Sequence, residues 1–431
     1  MSQITITDEE ALAYHEHPTP GKLATRITKS FSTQKDLSLA YTPGVAVPCL
    51  EIEKDPENAY RYTSKANLIG VISNGTAVLG LGDIGALASK PVMEGKAVLF
   101  KQFADLDATD VEVDTRDIAR FCDVIEAIAP TFGGINLEDI KAPECFEIEE
   151  RLVRRLDIPV MHDDQHGTAV ISAAGIINAC RLTDRTLEAL QVVIVGAGAA
   201  AISCGRLYRH LGIRTIYMID SKGVVHAGRD DLNQYKREFA CDCHVTTQKA
   251  AFENADVVVG LSRPGTFGAE DIARMKKRPI VFALANPTPE IFPDEVRKVR
   301  PNAIIATGRS DFPNQINNVL GFPFIFRGAL DVRAKAVTME MKVAAAEALA
   351  RLARQEIPEY LNALYGTTLE FGPEYIIPKP FDKRLIVEIS SAVAEAAFKG
   401  GVSKRKQFDA DDYRKALETR SYVVVEETGE A

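Results

Sequence analysis

The chain contains no tryptophan, only seven cysteines and no long apolar run. Its longest uncharged apolar stretch, residues 192–204, is shorter than the roughly 20 residues that cross a bilayer, so we expect no membrane-spanning helix. An odd number of cysteines is typical of reduced thiols rather than of a disulfide framework. The acidic N-terminus has no apolar core of a signal peptide. These absences predict a cytoplasmic protein.

The chain also lacks an excess of basic residues. Its 51 lysines and arginines are outnumbered by 60 acidic residues, and its formal net charge is -9. Because non-specific nucleic-acid binding depends on basic groups that neutralise phosphates, we expect no nucleic-acid partner. A composition of 46% hydrophobic and 26% charged residues is that of a globular protein. The length predicts two or three domains, with enough chain for a sizeable core.

Short apolar segments alternate with helical segments along most of the chain. Alternation of this kind predicts an α/β fold with a parallel, doubly wound sheet. The segments that we interpret as strands are 68–72, 77–79, 97–100, 133–137, 159–161, 192–195, 215–219, 257–259, 280–284 and 303–306. The segments that we interpret as helices are 115–129 with Thr115 as N-cap, 143–155, 168–182, 199–211, one long helix at 329–355, and the tail from 384.

Two glycine-rich loops are candidates for a dinucleotide-binding turn, at 80–85 and at 196–201. The second has the required context, because a strand precedes it and a helix follows. There Gly196 makes the tight turn, Gly198 allows backbone to approach a pyrophosphate, and the small Ala201 allows close helix–strand contact. The first loop is followed by Pro91, which predicts that its helix is short. We expect the first loop to contribute at most glycine backbone to a shared cleft.

The residues that follow the strand at 215–219 bear on the choice of dinucleotide. Asp220 ends that strand, at the distance from Gly196 at which an acidic residue binds the ribose hydroxyls of NAD and repels the 2′-phosphate of NADP. Ser221 and Lys222 follow directly, and Lys222 is able to pair with a 2′-phosphate. These two signals conflict, and the preference stays open.

Acidic pairs follow two of the predicted strands. Glu138 and Asp139 follow the strand at 133–137, and Asp163 and Asp164 follow the strand at 159–161. The carboxyl ends of strands line the active crevice of an α/β sheet, so the two pairs can converge. Converging carboxylates require a divalent cation, and oxygen ligands favour Mg²⁺ or Mn²⁺. Considered alone, such pairs are more often solvated surface acids.

Three further features are weaker in isolation. Lys96 follows a glycine and precedes an apolar run, which suggests a lysine at the base of a cleft; beside a metal ion its pKa would be lowered. Tyr41 lies in a Tyr-Thr-Pro-Gly turn. The segment Cys241-Asp-Cys243-His244 lacks a second ligand pair at zinc-finger spacing, and we interpret it as a surface loop.

Read together, these segments resemble the malic enzyme family, most closely its small bacterial type. The resemblance runs in the family's order from about residue 15 to residue 400. The matching segments are 41–46, 79–85, 91–96, 135–139, 162–169, 196–201, 283–289 and 314–318. The resemblance implies oxidative decarboxylation of malate to pyruvate through oxaloacetate, with NAD or NADP as oxidant and Mg²⁺ or Mn²⁺ bound. Some bacterial relatives carry a further phosphotransacetylase-like domain, for which we expect no room in 431 residues.

The family's roles fall on matching positions of this chain. Lys96 would be the general base, Tyr41 the general acid that protonates C3 of enolpyruvate, and Asp163 a partner of Lys96 or of the metal. The implied metal ligands are Glu138, Asp139 and Asp164. Asn286 and Asn318 would contact substrate. The implied cofactor-binding residues are Gly80, Gly82, Gly85, Gly196, Ala197, Gly198, Ala199, Asp220, Ser221, Lys222 and Asn286.

The resemblance also implies a domain organisation. Residues 1–160 would form an N-terminal α/β domain for substrate and metal, and residues 161–385 a Rossmann-like dinucleotide domain. Residues 386–431 would form a helical tail that packs on the first domain. We expect a homodimer, the commonest assembly of soluble proteins, or a higher homo-oligomer.

One departure from the family and two rival functions remain. Larger family members carry an arginine that binds a substrate carboxylate just before the first glycine loop, whereas this chain has Asn74 to Val78 there. Arg26, Lys29 or a lysine of another subunit are the alternatives. The rival functions are a metal-independent hydroxy- or amino-acid dehydrogenase and a non-catalytic nucleotide-binding redox sensor; neither requires three converging carboxylates.

Overall fold

A computed structural model of the chain describes residues 6–78, 80–242 and 244–420. Within these ranges the strands form two sheets, one of four strands and one of six. The α-helices of the described ranges are α1 (Asp8–Glu16), α2 (Gln34–Ala40), α3 (Ala46–Lys54), α4 (Ala59–Tyr62), α5 (Ala86–Ala104), α6 (Ile118–Ile128), α7 (Glu144–Arg155), α8 (Asp163–Thr183), α9 (Ala199–His210), α10 (Gln234–Arg237), α11 (Gln248–Phe252), α12 (Ala269–Arg274), α13 (Pro293–Val299), α14 (Phe322–Asp331), α15 (Met339–Leu352), α16 (Glu359–Tyr365), α17 (Leu385–Lys399) and α18 (Ala410–Glu418).

The first sheet is wholly parallel. Its strands are β1 (Leu68–Ser73), β2 (Asp107–Glu112), β3 (Gly134–Leu137) and β4 (Val160–His162), in the order β2-β1-β3-β4. Each parallel connection passes through a helix, as parallel strands require. Because β2 lies on one side of β1 and β3 on the other, the sheet has a switch point between β1 and β3, where the carboxyl ends of strands open a crevice.

The second sheet carries the dinucleotide turn. Its strands are β5 (Gln191–Val195), β6 (Thr215–Asp220), β7 (Gly223–Val224), β8 (Val257–Gly260), β9 (Ile280–Ala283) and β10 (Ile304–Thr307), in the order β10-β9-β8-β5-β6-β7. All pairings are parallel except the short β6–β7 hairpin. Four of the five β5 residues are buried, as expected for a central strand covered on both faces. This sheet has its switch point between β5 and β8.

Helix α8 connects the two sheets. It begins directly after β4, and most of its residues are buried, so it is apolar around nearly its whole circumference. It packs against α9 and α15 of the second half of the chain and also contacts β4. A single helix therefore carries the acidic residues at the end of the first sheet into the core of the second.

Several predicted elements are wrong. The segment 97–100 is part of helix α5 rather than a strand, and Pro91 lies inside this 19-residue helix, which is therefore not short. The segment 77–79 forms no strand in its described residues, since Val78 makes only an isolated bridge to Gly82; Leu79 lies outside the described residues. The N-cap of α6 is Asp117, not Thr115.

The predicted long helix at 329–355 is two helices. α14 ends at Asp331, and α15 begins after Thr338, whose side chain accepts a hydrogen bond from the Met341 N–H. Most of the other predicted helices and strands agree with the structure to within a few residues at each end. The α/β fold class with a doubly wound parallel sheet is confirmed, whereas the domain boundaries at 160 and 385 stay predictions.

The described part of the C-terminal tail contacts both halves of the chain. Arg420 lies 3.0 Å from Asp105, at the end of α5, and Ser390 of α17 donates a hydrogen bond to the Phe324 carbonyl. Residues 421–431, which complete the predicted tail, lie outside the described residues. No helix in the described ranges is long and apolar enough to cross a membrane.

Candidate active site and metal centre

Three carboxylates converge at the switch point of the first sheet. β3 and β4 are parallel neighbours with Leu137 opposite His162, so the residues that follow them lie at the same edge of the sheet. Glu138, Asp139 and Asp164 each offer a ligand oxygen within 4.8 Å of the others. They are the one such group of potential metal ligands in the described ranges. The structure thus brings together the three predicted metal ligands.

Local hydrogen bonds fix these carboxylates. Asp139 has a φ of 52°, and its N–H donates to Asp164 Oδ2 at 2.8 Å. The Asp139 carbonyl accepts from the Ala77 N–H at 2.9 Å, which anchors the first glycine loop to the site. Asn136 Nδ2 donates to Glu138 Oε2 at 2.8 Å. The chain therefore holds the carboxylates of Glu138 and Asp164 and the backbone of Asp139 in place before any cation arrives.

Lys96 lies beside these carboxylates. Its Nζ is 2.7 Å from Asp163 Oδ2 and 2.8 Å from Glu138 Oε1, and 4.2 Å from the centre of the Phe322 ring. Burial lowers the pKa of Lys96, but Asp163 and Glu138 outweigh burial and raise it above its ordinary value. The chain alone therefore holds Lys96 as an ammonium ion. A cation on the same carboxylates would offset their charge and lower this pKa.

The site has a surplus of negative charge that fits a cation. Burial and the neighbouring Asp164 and Asp163 raise the pKa of Glu138 well above its usual range, although Lys96 lowers it. Lys96 is the one lysine or arginine that ion-pairs with this cluster in the described ranges, and His162 Nε2 lies 3.5 Å from Asp164 Oδ2. Since all three candidate ligands are carboxylates, the donor set suits a hard, oxygen-seeking ion such as Mg²⁺ or Mn²⁺.

Asn318 lies next to the Lys96 partner Asp163. A side chain on Gly167 would place its Cβ 2.3 Å from Asp163 Oδ1 and 2.8 Å from Asn318 Cγ. Only glycine fits there, so the close approach of Asn318 to α8 depends on it. Thr168 donates a hydrogen bond to Asn318 Oδ1 at 3.1 Å. The predicted substrate residue Asn318 therefore belongs to the same cleft as Asp163.

Tyr41 is not brought to these residues within its own chain. It follows α2, and its side chain is 70% exposed. We call residues 23–54 the N-terminal arm; no hydrogen bond, ion pair or ring contact joins this wholly described stretch to anything beyond the adjoining residues 55–58. The predicted general acid therefore lies on a segment that is detached from the core.

The second glycine loop has the geometry of a dinucleotide turn. Gly196 has a φ of 131°, and a Cβ there would lie 2.4 Å from the Leu261 carbonyl oxygen that follows β8. Gly198 is the N-cap of α9. Ala197 and Ala199 are half-buried beside it. The open N-terminus of α9 thus faces the switch point of the second sheet, where backbone N–H groups can bind a pyrophosphate.

The first glycine loop approaches the second half of the chain. Gly80, Gly82 and Gly85 all have positive φ, and Gly85 caps α5. A Cβ on Gly80 would lie 3.1 Å from the carbonyl oxygen of Asn286. The loop and Asn286 therefore face each other between the two sheets, as a shared cleft requires.

Asp220 is surrounded by bases at the end of β6. Arg229 binds both of its carboxylate oxygens, at 2.8 and 3.0 Å, and Lys236 Nζ lies 2.7 Å from Oδ2. Burial raises the pKa of Asp220, but Arg229 and Lys236 outweigh burial and lower it to about 2. The Lys222 N–H donates to the same carboxylate, and its side chain, 66% exposed, pairs with Asp231.

Sequence reasoning missed several residues near the site. Glu149, His166 and Ser203 form a buried hydrogen-bond network under the start of α8, and Arg229 and Lys236 surround Asp220. Of these five residues, only His166 lies in a segment that resembles the family, 162–169, so only His166 could have been identified from the sequence. Cys241 and His244 join no group of potential metal ligands in the described ranges; Cys243 lies outside them.

Comparison with known proteins agrees with this geometry. The family model described as malic enzyme, N-terminal domain, matches residues 20–153, and the model described as malic enzyme, NAD binding domain, matches residues 165–366. The chain is 57% identical to the NADP-dependent malic enzyme of Halomonas elongata, over 92% of this chain and 95% of that protein.

Two further relatives extend the comparison. The NAD-dependent malic enzyme of Rhizobium meliloti is 53% identical over 94% of this chain and 53% of its own length; the chain likewise spans about half the length of several other curated relatives that it matches. The solved malic enzyme of Pyrococcus horikoshii superposes with a TM-score of 0.87 at 41% identity, over 95% of this chain and 94% of that one. The chain therefore belongs to the malic enzyme family.

Proposed function

We propose that this protein converts (S)-malate to pyruvate and CO₂, reduces NAD(P) and requires a divalent cation. One observation carries the proposal: three carboxylates from two neighbouring strand ends converge within 4.8 Å, beside a lysine that is paired with a fourth carboxylate. Membership of the malic enzyme family and the relatives' names support the same reaction.

The residues of the cleft suggest how the chain would perform this reaction. Glu138, Asp139 and Asp164 would hold Mg²⁺ or Mn²⁺, which supplies Lewis-acid chemistry at the C2 oxygen of malate. Lys96 Nζ would take the proton of the C2 hydroxyl, with Asp163 holding it in place at 2.7 Å. Asn318 and Asn286 would orient substrate and nicotinamide between the two sheets. Tyr41 would return a proton to C3 after CO₂ leaves.

Two rival functions make less use of the same geometry. A metal-independent dehydrogenase has no need for converging buried carboxylates, whose mutual repulsion is costly without a cation. A nucleotide-binding sensor has no need for a buried lysine aimed at them.

A steady-state assay with (S)-malate, Mn²⁺ and either dinucleotide separates these functions. We expect one CO₂ and one pyruvate for each reduced dinucleotide, and loss of turnover after chelation. Lys96→Ala should abolish turnover, whereas Lys101→Ala, on the exposed face of the same helix, should not. Turnover to stable oxaloacetate without metal would favour the dehydrogenase, and no turnover at all would favour the sensor.

The surroundings of Asp220 support a preference for NADP. An acid that binds ribose hydroxyls must have free oxygens, but Arg229 and Lys236 occupy both oxygens of Asp220. Three bases and two carboxylates lie together at the end of β6, so this surface is positive. The bases are Lys222, Arg229 and Lys236, and the carboxylates are those of Asp220 and Asp231. An arginine near this strand end commonly accommodates a 2′-phosphate. These contacts favour Lys222 over Asp220 as the residue that bears on the choice of dinucleotide.

The N-terminal arm supports a homodimer. Helices α2 and α3 have no buried residue, and two helices of seven and nine residues are too short to be stable alone in water. The arm exposes a continuous series of large apolar side chains: Leu23, Ile27, Phe31, Leu37, Leu39, Tyr41, Val47 and Leu50. Exposed apolar surface of this extent marks an interface.

A second copy of this chain is the partner that the site calls for. Tyr41, the predicted general acid, lies on the arm and is 70% exposed. Near the site, Leu81, Ile84 and Leu87 expose further apolar surface on the first glycine loop and the start of α5. We infer that the arm of one copy docks beside the site of the other and supplies Tyr41 there. Arg26 and Lys29 of the arm then become candidates for the substrate carboxylate.

We also propose a cytoplasmic location. Cys49, Cys122, Cys145, Cys180 and Cys204 form no disulfide, which is usual for proteins of reducing compartments.

A further inference from the structure

A buried chain of hydrogen bonds joins the first turn of α8 to α9. Glu149 of α7 accepts from the His162 N–H at 2.9 Å and from Gln165 Nε2 at 3.2 Å. His166 Nε2 lies 2.9 Å from Glu149 Oε1. On its other side, His166 Nδ1 lies 2.9 Å from Ser203 Oγ. The chain therefore runs from α7 through α8 to α9.

The directions of these bonds follow from the charges. Burial raises the pKa of Glu149, but His166 and the buried Lys342 outweigh it and lower the pKa to about 2. Glu149 is therefore a carboxylate that only accepts, and His166 Nε2 must donate to it. Since Nε2 donates to Glu149, Nδ1 of a neutral His166 ring accepts the Ser203 hydroxyl proton.

The order of hydrogen bonds in this arrangement resembles that of a Ser-His-acid triad, but a substrate has no access to the serine. Ser203 is only 3% exposed, so its hydroxyl cannot reach a substrate carbonyl, and a role as nucleophile is excluded. A hydrogen-bonded buried network instead rigidifies the elements that it joins.

The two elements joined are those that carry the two halves of the site. The first turn of α8 holds Asp163, the partner of Lys96, and Asp164, a candidate metal ligand. α9 begins at the Gly198 N-cap of the dinucleotide turn, and Ser203 is its fifth residue. A shift of α9 when a dinucleotide binds would therefore act on Asp164 through Ser203 and His166.

We propose that Glu149, His166 and Ser203 are positioning residues that couple metal binding at the first sheet to dinucleotide binding at the second. The proposal rests on the proposed function, because it requires both ligands to bind. Partners that orient metal ligands typically change metal affinity about 10- to 100-fold when they are removed, and coupling between two sites is typically about 5- to 150-fold.

The test compares Mn²⁺ affinity with and without saturating NADPH, measured from the electron paramagnetic resonance signal of free Mn²⁺. In the wild type we expect NADPH to change the Mn²⁺ dissociation constant about tenfold. We call the factor by which NADPH changes the Mn²⁺ dissociation constant the coupling ratio. In Ser203→Ala this ratio should be close to one, while the Mn²⁺ affinity without NADPH stays near the wild-type value. Glu149→Gln should instead weaken Mn²⁺ binding itself, about tenfold.

Ser172→Ala is the matched control. Ser172 is equally buried at the same pair of helices, where it accepts a hydrogen bond from Tyr208, but it lies two turns from the metal ligands. This variant should lose stability and keep the wild-type ratio, since a purely structural role would not move the ratio. If Ser203→Ala does not fold, His166→Asn breaks the same chain at its centre.

The outcomes separate this inference from the proposed function. Suppose that the wild type turns malate over. The coupling alone is then overturned if NADPH leaves the wild-type Mn²⁺ dissociation constant unchanged, or if the Ser203 and His166 variants keep the wild-type coupling ratio. A wild type that binds neither Mn²⁺ nor NADPH would overturn both.

Discussion

At the scale of single residues, the pairing of Asp220 decides what the end of β6 can bind. Its two oxygens are held by Arg229 and Lys236, and charge-assisted bonds of this kind are about twice as strong as neutral ones. An acidic strand end is therefore converted into a positive one, which suits the 2′-phosphate of NADP.

The corresponding prediction concerns Lys236→Ala. The variant removes one positive charge from the end of β6 and releases an oxygen of Asp220, so it should raise the Michaelis constant for NADP about tenfold and leave that for NAD nearly unchanged. Steady-state kinetics with both dinucleotides make the comparison, and Lys249→Ala on the neighbouring α11 is the control. Equal effects on the two dinucleotides would contradict the assignment.

Single residues also show where prediction from sequence ends. The two acidic pairs could be placed at one edge because parallel strands end there, but the choice of Glu138, Asp139 and Asp164 as metal ligands came from the resemblance to the malic enzyme family. Arg229 and Lys236 could not, since the turn of the β6–β7 hairpin returns them to Asp220 from nine and sixteen residues away. Surface bases at that distance carry no periodic signal.

At the scale of elements, helix α8 depends on α7. Glu149 accepts hydrogen bonds from two side chains in the first turn of α8 and from the N–H of its N-cap, His162. Its pKa of about 2 lies below the ordinary value of 4.5. A depressed carboxyl pKa contributes stability that is present above pH 4.5 and is lost as the pH falls through 2.

In Glu149→Gln, the free energy of unfolding should therefore fall less steeply as the pH is lowered from 4.5 to 2. Linkage converts the difference in pKa to about 3 kcal/mol of unfolding free energy that disappears between pH 4.5 and 2. Urea unfolding at a series of pH values measures it. Glu150→Gln, whose exposed side chain lies 3.9 Å from Arg154, should retain the wild-type slope. An unchanged slope in Glu149→Gln would mean that the carboxylate has little effect.

The elements that were predicted wrongly have two physical causes. A run of four apolar residues such as 97–100 suits a buried strand and a buried helix equally well, and in α5 the 19-residue context decides for helix. The interruption between α14 and α15 depends on a threonine cap and on Arg333 with a φ of 56°. Neither interrupts the alanine-rich pattern of the sequence.

At the scale of the whole molecule, the N-terminal arm is exposed and packs on little of the described chain. Its helices have no core within the described chain, and Tyr41 lies on it apart from Lys96. The rest of the molecule is well packed, with an apolar core that extends through both sheets and α8. Pairing of two copies would complete both the arm's packing and the site.

Mixing two inactive variants tests this arrangement. If Tyr41 acts in the partner's site, Tyr41→Phe mixed with Lys96→Ala forms dimers in which one site carries both changes and the other neither. Random pairing then restores about a quarter of the wild-type activity. If Tyr41 acts in its own chain, no site is intact and no activity returns. Leu39→Asp should separately shift the protein towards monomers in light scattering.

The most direct test of the central claim is a Mn²⁺ titration of the wild type and of Asp164→Asn. We expect one ion bound per wild-type chain and none by Asp164→Asn over the same concentrations, because that variant removes one of the three converging carboxylates. Asp157→Asn, at an exposed carboxylate that pairs with Lys404, should bind as the wild type does. Binding of Mn²⁺ by Asp164→Asn with wild-type affinity would contradict the assignment of this site.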